Sequence, residues 1–262
     1  MYLDSETEKK LAGSLTAGNL VELLPYLPYL LFDFWELGTT PSMVSDLVRR
    51  HIPEPCKRRF LDLGCGKGAV SVTLAADFSA SVTGIDIMQD FIAFAKMKAE
   101  EAGVSELCRF RIGDITREVY AENGYDCTIL GAVGDVLGTP EQTVRLLKKT
   151  VVPGGFIIID DAYLPDADAT LAYQHQDYLQ RKEWLAGFAR CGVRLVEEIS
   201  VEGHPAAESN ASDMEKIRAR AEELKVRYPE RRNLFNTYVA NQENEYHDLE
   251  QMLIGVVWLL QT

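Results

Sequence analysis

The chain has 262 residues, 47% of them hydrophobic and 26% charged, which is enough apolar material for a substantial core. Its formal net charge of −13 would repel a phosphate backbone, so nucleic acid is excluded as the expected partner. Five scattered cysteines without a Cys-x-x-Cys pair argue against a disulfide framework or zinc site and for reduced, cytoplasmic usage.

Residues 1–56 read as an N-terminal helical cap. The polar, acidic start, Met1 to Lys10, does not resemble a signal peptide, and no later stretch reaches the ~18 consecutive apolar residues of a bilayer span. Leu20 to Trp35 is rich in leucine and aromatic residues, but Pro25 and Pro28 break it into short pieces. Thr40-Pro41 then opens a helix running to about His51. These pieces either cover a sheet edge or fold Tyr26, Tyr29 or Trp35 over a ligand cleft. Membrane docking lacks the expected Lys/Arg flank.

From residue 57 the pattern alternates strand and helix. Strands are predicted at Phe60–Leu63, Ser81–Asp86, Leu107–Ile112, Asp126–Leu130 and Gly155–Asp160. The helices between them are placed at about Gly68–Phe78, Asp90–Ala102, Ile115–Tyr120 and Pro140–Thr150. In the second, Phe91, Phe94, Ala95 and Met97 form the predicted buried side. Such alternation implies right-handed crossovers and a parallel sheet covered on both faces, with ligands beyond the carboxyl ends of the strands.

A helix from about Tyr173 to Cys191 and a strand at Val193–Val201 continue the pattern. Residues 209–250 then read as a helical hairpin. Ser212-x-x-Glu215 is a predicted capping box, Met214, Ile217, Ala221, Leu224 and Tyr228 share one face, and a second helix carries Phe235, Tyr238, Val239, Tyr246 and Leu249. A last strand spans Met252 to Leu260. The expected division is therefore a cap at 1–56, a core at 57–208 with 251–262, and an insert at 209–250. That insert is expected to pack on the core, as a lid over a substrate or as a homodimer contact.

The chemistry centres on Asp62-Leu63-Gly64-Cys65-Gly66-Lys67-Gly68, a glycine turn between strand and helix. Glycines allow a tight turn and close approach by a ligand, and the helix N-terminus offers unpaired N–H groups. Asp86 stands about twenty residues on, at the distance suited to a ribose diol. Gly64-x-Gly66-x-x-Ala69 also satisfies a loose dinucleotide pattern, which keeps an NAD-dependent oxidoreductase in play. Asp62 before the glycines, Gly113-Asp114 after the third strand and Pro153-Gly154-Gly155 before the fifth favour a different reading. With them the chain resembles the class I S-adenosylmethionine-dependent methyltransferases over residues 57–200 and the last strand.

The resemblance implies a Rossmann-like α/β fold: a seven-stranded, mostly parallel sheet with an antiparallel last strand and helices on both faces. It implies S-adenosylmethionine as cofactor and S-adenosylhomocysteine as product. Gly64, Cys65, Gly66 and Gly68 would approach the methionine end, and Asp62 would orient its ammonium group. Asp86 would take the ribose hydroxyls, with Ile87 and Met88 against the adenine. Gly113, Asp114 and Ile115 would meet the adenine edge, although Asp114 also suits a helix N-cap. Gly131 and Ala132 would lie near the methionine chain, and Lys67 is expected to point outward.

The acceptor is less defined. No Asn-Pro-Pro-Tyr type motif follows the fourth strand, and Gly131 stands where a metal-dependent enzyme would place a carboxylate, so no metal is expected. The reading is in-line methyl transfer to a small molecule. Tyr29 and Trp35 are candidate substrate contacts, and His175, Asp135 and Asp161 are candidate bases. A non-catalytic cofactor-binding protein is the other alternative.

Overall fold

The computed structural model describes residues 5–16, 18, 20–165, 170–172, 178–201 and 206–262. The seven strands are β1 (Arg59–Leu63), β2 (Ser81–Asp86), β3 (Cys108–Ile112), β4 (Tyr125–Gly131), β5 (Val151–Tyr163), β6 (Arg194–Val201) and β7 (Ile254–Gln261). They form one sheet in the order β3-β2-β1-β4-β5-β7-β6. β7 runs antiparallel to both β5 and β6, and the remaining pairs are parallel. The sheet order reverses direction at β1 and β4, which places a crevice beyond their carboxyl ends.

Ten α-helices are described. They are α1 (Ser5–Leu15), α2 (Leu27–Leu30), α3 (Pro41–His51), α4 (Ala69–Phe78), α5 (Gln89–Glu101), α6 (Ile115–Glu118), α7 (Pro140–Thr150), α8 (Arg181–Arg190), α9 (Ala206–Arg227) and α10 (Arg232–Gln251). None is long and apolar enough to cross a membrane among the described residues.

The period of two along β1 sorts its side chains between the faces. Phe60 joins a core containing residues of α3, α4 and α5, whereas Leu61 and Leu63 join one containing residues of α7 and α8. Asp62 therefore shares the Phe60 face and is buried beneath α4. β7 divides in the same way, with Val257 and Leu259 on one face and Val256, Trp258 and Leu260 on the other. Trp258 packs against Trp184, Phe188 and Tyr163.

A third apolar cluster joins Leu23, Leu27, Leu30 and Phe34 to Met214, Ile217, Ala221, Leu224, Phe235 and Tyr238 of α9 and α10. Full burial of one such leucine is worth roughly 2 kcal/mol, so the N-terminal pieces and the hairpin hold one another. Pro25 lies inside a 3-10 turn, Val21–Tyr26, and Pro28 at the first turn of α2, as the prolines dictate.

Some expectations are corrected. β5 starts at Val151 because Val151 already pairs with Tyr125, with 152–155 bulging between that pair and Cys127↔Phe156. It ends at Tyr163 because β7 pairs along it through Ile254. α9 begins at Ala206, so Ser212 is interior to the helix rather than its cap. Met97 is exposed, and Ile92 and Ala99 complete the buried face of α5. Residues 178–180 precede α8 without helical structure, and 173–177, where that helix was predicted to start, lie outside the described residues.

Candidate active site

The turn between β1 and α4 holds Gly64, Gly66 and Gly68 at φ of +74°, +50° and +79°, a region that disfavours any side chain. At Gly64 a Cβ would also lie 2.6 Å from Val133 Cγ1. The Gly64 and Cys65 N–H groups both donate to the Ile85 carbonyl, tying the turn to β2. Asp86 completes that tie. Its Oδ2 accepts the Gly66 N–H at 2.9 Å and its Oδ1 the Met88 N–H at 2.8 Å. Each carboxylate oxygen keeps a further acceptor site.

Beyond these strand ends lies a cleft with about 680 Å³ of space, open to solvent at its mouth. One wall is Gly64, Gly66, Asp86 and Ile87, continued by Gly113, Asp114 and Ile115. The other is Gly131, Ala132, Val133 and Val136, with Leu11 and Leu15 of α1, Leu37 and Phe91 adding apolar cover. A second cavity of about 380 Å³ shares Leu37, Gly64, Gly66 and Gly131. It runs past Trp35, Thr39 and Asp62 toward Cys65 and Lys67.

The carboxyls here are held in unusual states. Burial pushes Asp62 up to about 6, opposed by the Ser71 hydroxyl that donates to it at 2.6 Å. Burial likewise raises Asp86 to about 6 against the N–H groups that favour its ionised form. At the end of β5, Asp160 rises to about 6 and Asp161 to about 7, both through burial, and Asp161 also through the charges of Asp160 and Asp135. Thr39 is buried, with its hydroxyl beside the Asp160 carboxyl, where it opposes the rise of that group. A Cβ on Gly131 would come within 2.3 Å of that hydroxyl. Among the described residues, no group of three or more His, Cys, Asp or Glu side chains is arranged to hold a metal.

Residues 57–222 match the family described as "Methyltransferase domain". The chain belongs to the methyltransferase domain family. An S-adenosylmethionine-dependent methyltransferase from Geobacter sulfurreducens, crystallised with S-adenosyl-L-homocysteine, superposes with a TM-score of 0.75 at 25% identity. That superposition covers 90% of this chain and 97% of the other. In sequence, the uncharacterized protein YjhP of Escherichia coli (strain K12) is 37% identical over 114 residues, 43% of this chain and 45% of YjhP. The malonyl-[acyl-carrier protein] O-methyltransferase of Priestia megaterium is 29% identical over 130 residues, 49% of this chain and 44% of that enzyme. The matched stretch thus spans less than half the length of these two curated relatives.

Within this methyltransferase fold, most of the sequence-predicted positions converge. Gly64, Gly66, Asp86, Ile87, Gly113, Asp114, Ile115, Gly131 and Ala132 line the cleft, and Asp62, Cys65 and Trp35 line the second cavity. Burial raises the Cys65 thiol well above its ordinary value, so it packs there as an unreactive group. Asp114 is also the α6 N-cap, accepting the Thr116 N–H at 2.9 Å. Gly68 does not line either space. It caps α4, where a Cβ would meet Ala95 Cβ at 2.7 Å and Phe110 at 2.9 Å, so its role is close packing.

Other predicted positions fall elsewhere. The Met88 side chain packs against the third apolar cluster. Tyr29 bonds Glu223 of α9 and is flanked by Arg220 and Arg227, which holds it on the hairpin rather than in the cleft. Asp135 is exposed in the 3-10 turn Gly134–Leu137, and Asp161 is half-buried on β5. His175 lies outside the described residues. Lys67 corrects the expectation most sharply, because it is buried and its ammonium bonds main-chain carbonyls of residues 31–34. Sequence reasoning missed Leu11, Leu15, Leu37 and Thr39. Nothing in their local sequence pattern marks them as cleft residues.

Proposed function

We propose that this chain is an S-adenosylmethionine-dependent methyltransferase that transfers methyl, by in-line displacement, to a small and largely apolar acceptor. The observation carrying this reading is the Asp86 carboxylate, aligned by the Gly66 and Met88 N–H groups at the rim of a glycine-rich turn. The residues fit the cofactor. Gly64 and Gly66 present main chain to the cleft and to the second cavity, and Asp62 and the buried Thr39 hydroxyl supply polar groups there. Asp86 would accept the ribose hydroxyls and Asp62 would face the ammonium, directly or through water. Asp114 and the Ile115 N–H would meet the adenine edge. When bound, the cofactor supplies an electrophilic sulfonium methyl group.

The protein's part is orientation and exclusion of water. Leu11, Leu15, Leu37, Val133 and Val136 make the exposed side of the cleft apolar, which suits an aromatic or aliphatic acceptor. Where the acceptor must lose a proton, Asp161 at the end of β5 is one candidate base, with a carboxyl raised to about 7, although it lines neither the cleft nor the second cavity. Asp135 and His175 are the alternatives, and the α9–α10 hairpin is a lid or dimer contact in this reading. The family match sets the oxidoreductase reading aside.

Thermal unfolding with added ligand tests the cofactor. S-adenosylhomocysteine should raise the melting temperature by mass action, and NAD should not. No shift with S-adenosylhomocysteine at millimolar concentration overturns the reading. Donor turnover on adding a metabolite extract separates an enzyme from a cofactor-binding protein.

A further inference from the structure

Lys67 is the one residue of the glycine-rich turn with a long charged side chain, and the proposed site gives that charge nothing to do. It is 4% exposed. Its Nζ donates to the Phe34 carbonyl at 2.6 Å, to the Phe32 carbonyl at 3.4 Å and to the Leu31 carbonyl. An ammonium has three donors, and here each has a carbonyl. The same group lies 4.8 Å from the Phe94 ring centroid and 5.7 Å from that of Phe91. The tie is returned: the Trp35 indole N–H donates to the Lys67 carbonyl at 3.1 Å. Burial holds the Lys67 ammonium down at about 8, so a buried charge is kept here against its own desolvation.

The segment so gripped leads into the site. Residues 31–34 are anchored on their far side by Phe34 in the third apolar cluster and by the Asp33–Arg220 ion pair. Directly after them come Trp35, Leu37 and Thr39, the N-terminal contribution to the cavity beside Asp62. Leu37 Cδ1 lies 3.2 Å from where a Gly66 Cβ would be, so the segment sits on the turn itself.

We propose that Lys67 is a positioning residue: its ammonium fastens the main chain of residues 31–34 to the glycine-rich turn and so fixes Trp35, Leu37 and Thr39 as one wall of the cofactor's cavity. The fastening stands on the geometry alone, while its effect on cofactor binding rests on the function proposed above.

The test uses the full chain with Lys67→Met, which keeps the length and removes the donors, and Lys67→Gln, which keeps an amide donor. Hydrogen exchange of residues 21–39 is followed by mass spectrometry, and S-adenosylhomocysteine affinity by calorimetry. In Lys67→Met, exchange across 31–39 should rise about tenfold or more while β1 and β4 keep their protection. The dissociation constant should rise about tenfold, and Lys67→Gln should fall between the two proteins in both readouts. Unchanged protection of 31–39 in the variants overturns the fastening. Raised exchange with unchanged affinity overturns the positioning role. Should Lys67→Met not fold, Lys67→Gln decides by the same two readouts. A wild-type chain that fails to bind S-adenosylhomocysteine refutes the proposed function instead, and the exchange data still decide the fastening.

Discussion

The carboxylate of Asp86 accepts the main-chain N–H of Gly66 across twenty residues of sequence, at 2.9 Å. One side chain at the tip of β2 therefore shapes the turn after β1 and is also the acceptor presented to the cleft. These two duties separate on mutation. Asp86→Ala leaves the Gly66 and Met88 N–H groups unpaired, which should cost about 1–3 kcal/mol in denaturant unfolding. It should also weaken S-adenosylhomocysteine binding by about a hundredfold, through loss of a charged acceptor. Asp86→Asn keeps one acceptor oxygen and should recover much of the stability but little of the affinity.

Gly131 and Thr39 form a second coupled pair. A Cβ at Gly131 would stand 2.3 Å from Thr39 Oγ1 and 3.1 Å from its Cβ, so Gly131→Ala must displace the segment that carries Thr39. Overpacking of this kind costs about 1–3 kcal/mol. Thr39→Ala removes the obstructing hydroxyl, and with it the contact to the Asp160 carboxyl. In a double-mutant cycle the pair should be non-additive, the second substitution relieving most of the cost of the first. Additive values from chemical unfolding would contradict the contact.

Asp161 is the candidate base on β5, needed only where the acceptor must lose a proton. Asp161→Asn is close in shape and cannot take a proton, so turnover should fall about a hundredfold or more. Affinity for S-adenosylhomocysteine should stay within about twofold, because the proposed mechanism gives Asp161 no contact with the cofactor. Equal loss in both measurements would assign Asp161 a structural part.

What could be read from the sequence follows the range of the forces involved. The glycine turn, Asp86 and the strand–helix alternation are local or nearly so, fixed by backbone sterics and by period-two burial. They appear in the structure where expected, down to α3 at Pro41–His51 and α7 at Pro140–Thr150. Lys67 was misread because a lysine in a loop is solvated by default. Only the carbonyls of residues 31–34, more than thirty residues away, reverse that default. Tyr29 was misread for a related reason: its apolar neighbourhood did not reveal Arg220, Arg227 and Glu223, which arrive from α9. Leu11 and Leu15 were invisible as cleft residues because a short amphipathic helix does not encode which crevice it covers.

The raised carboxyls set a pH dependence opposite in sign to that of ion-paired carboxylates. Asp62 and Asp86 move from an ordinary 3.8 to about 6 in the folded chain, so between these values the native state binds more protons than the unfolded one. Stability from these groups is fully present below the lower value and is lost as pH rises through about 6, at most roughly 1.4 kcal/mol per pH unit for each proton. The lowered pKa of Asp33 acts in the opposite direction, its contribution being lost as pH falls below the ordinary carboxylate range. The ligand-free protein should therefore gain melting temperature on acidification from pH 7.5 to 5.5. Binding should run the other way, because the ionised Asp86 is the form that accepts ribose hydroxyls. S-adenosylhomocysteine affinity should fall as pH drops through about 6, and Asp86→Asn should flatten that fall. Calorimetric titrations of both proteins between pH 5.5 and 8 provide the check, and parallel profiles would remove Asp86 from the ligand.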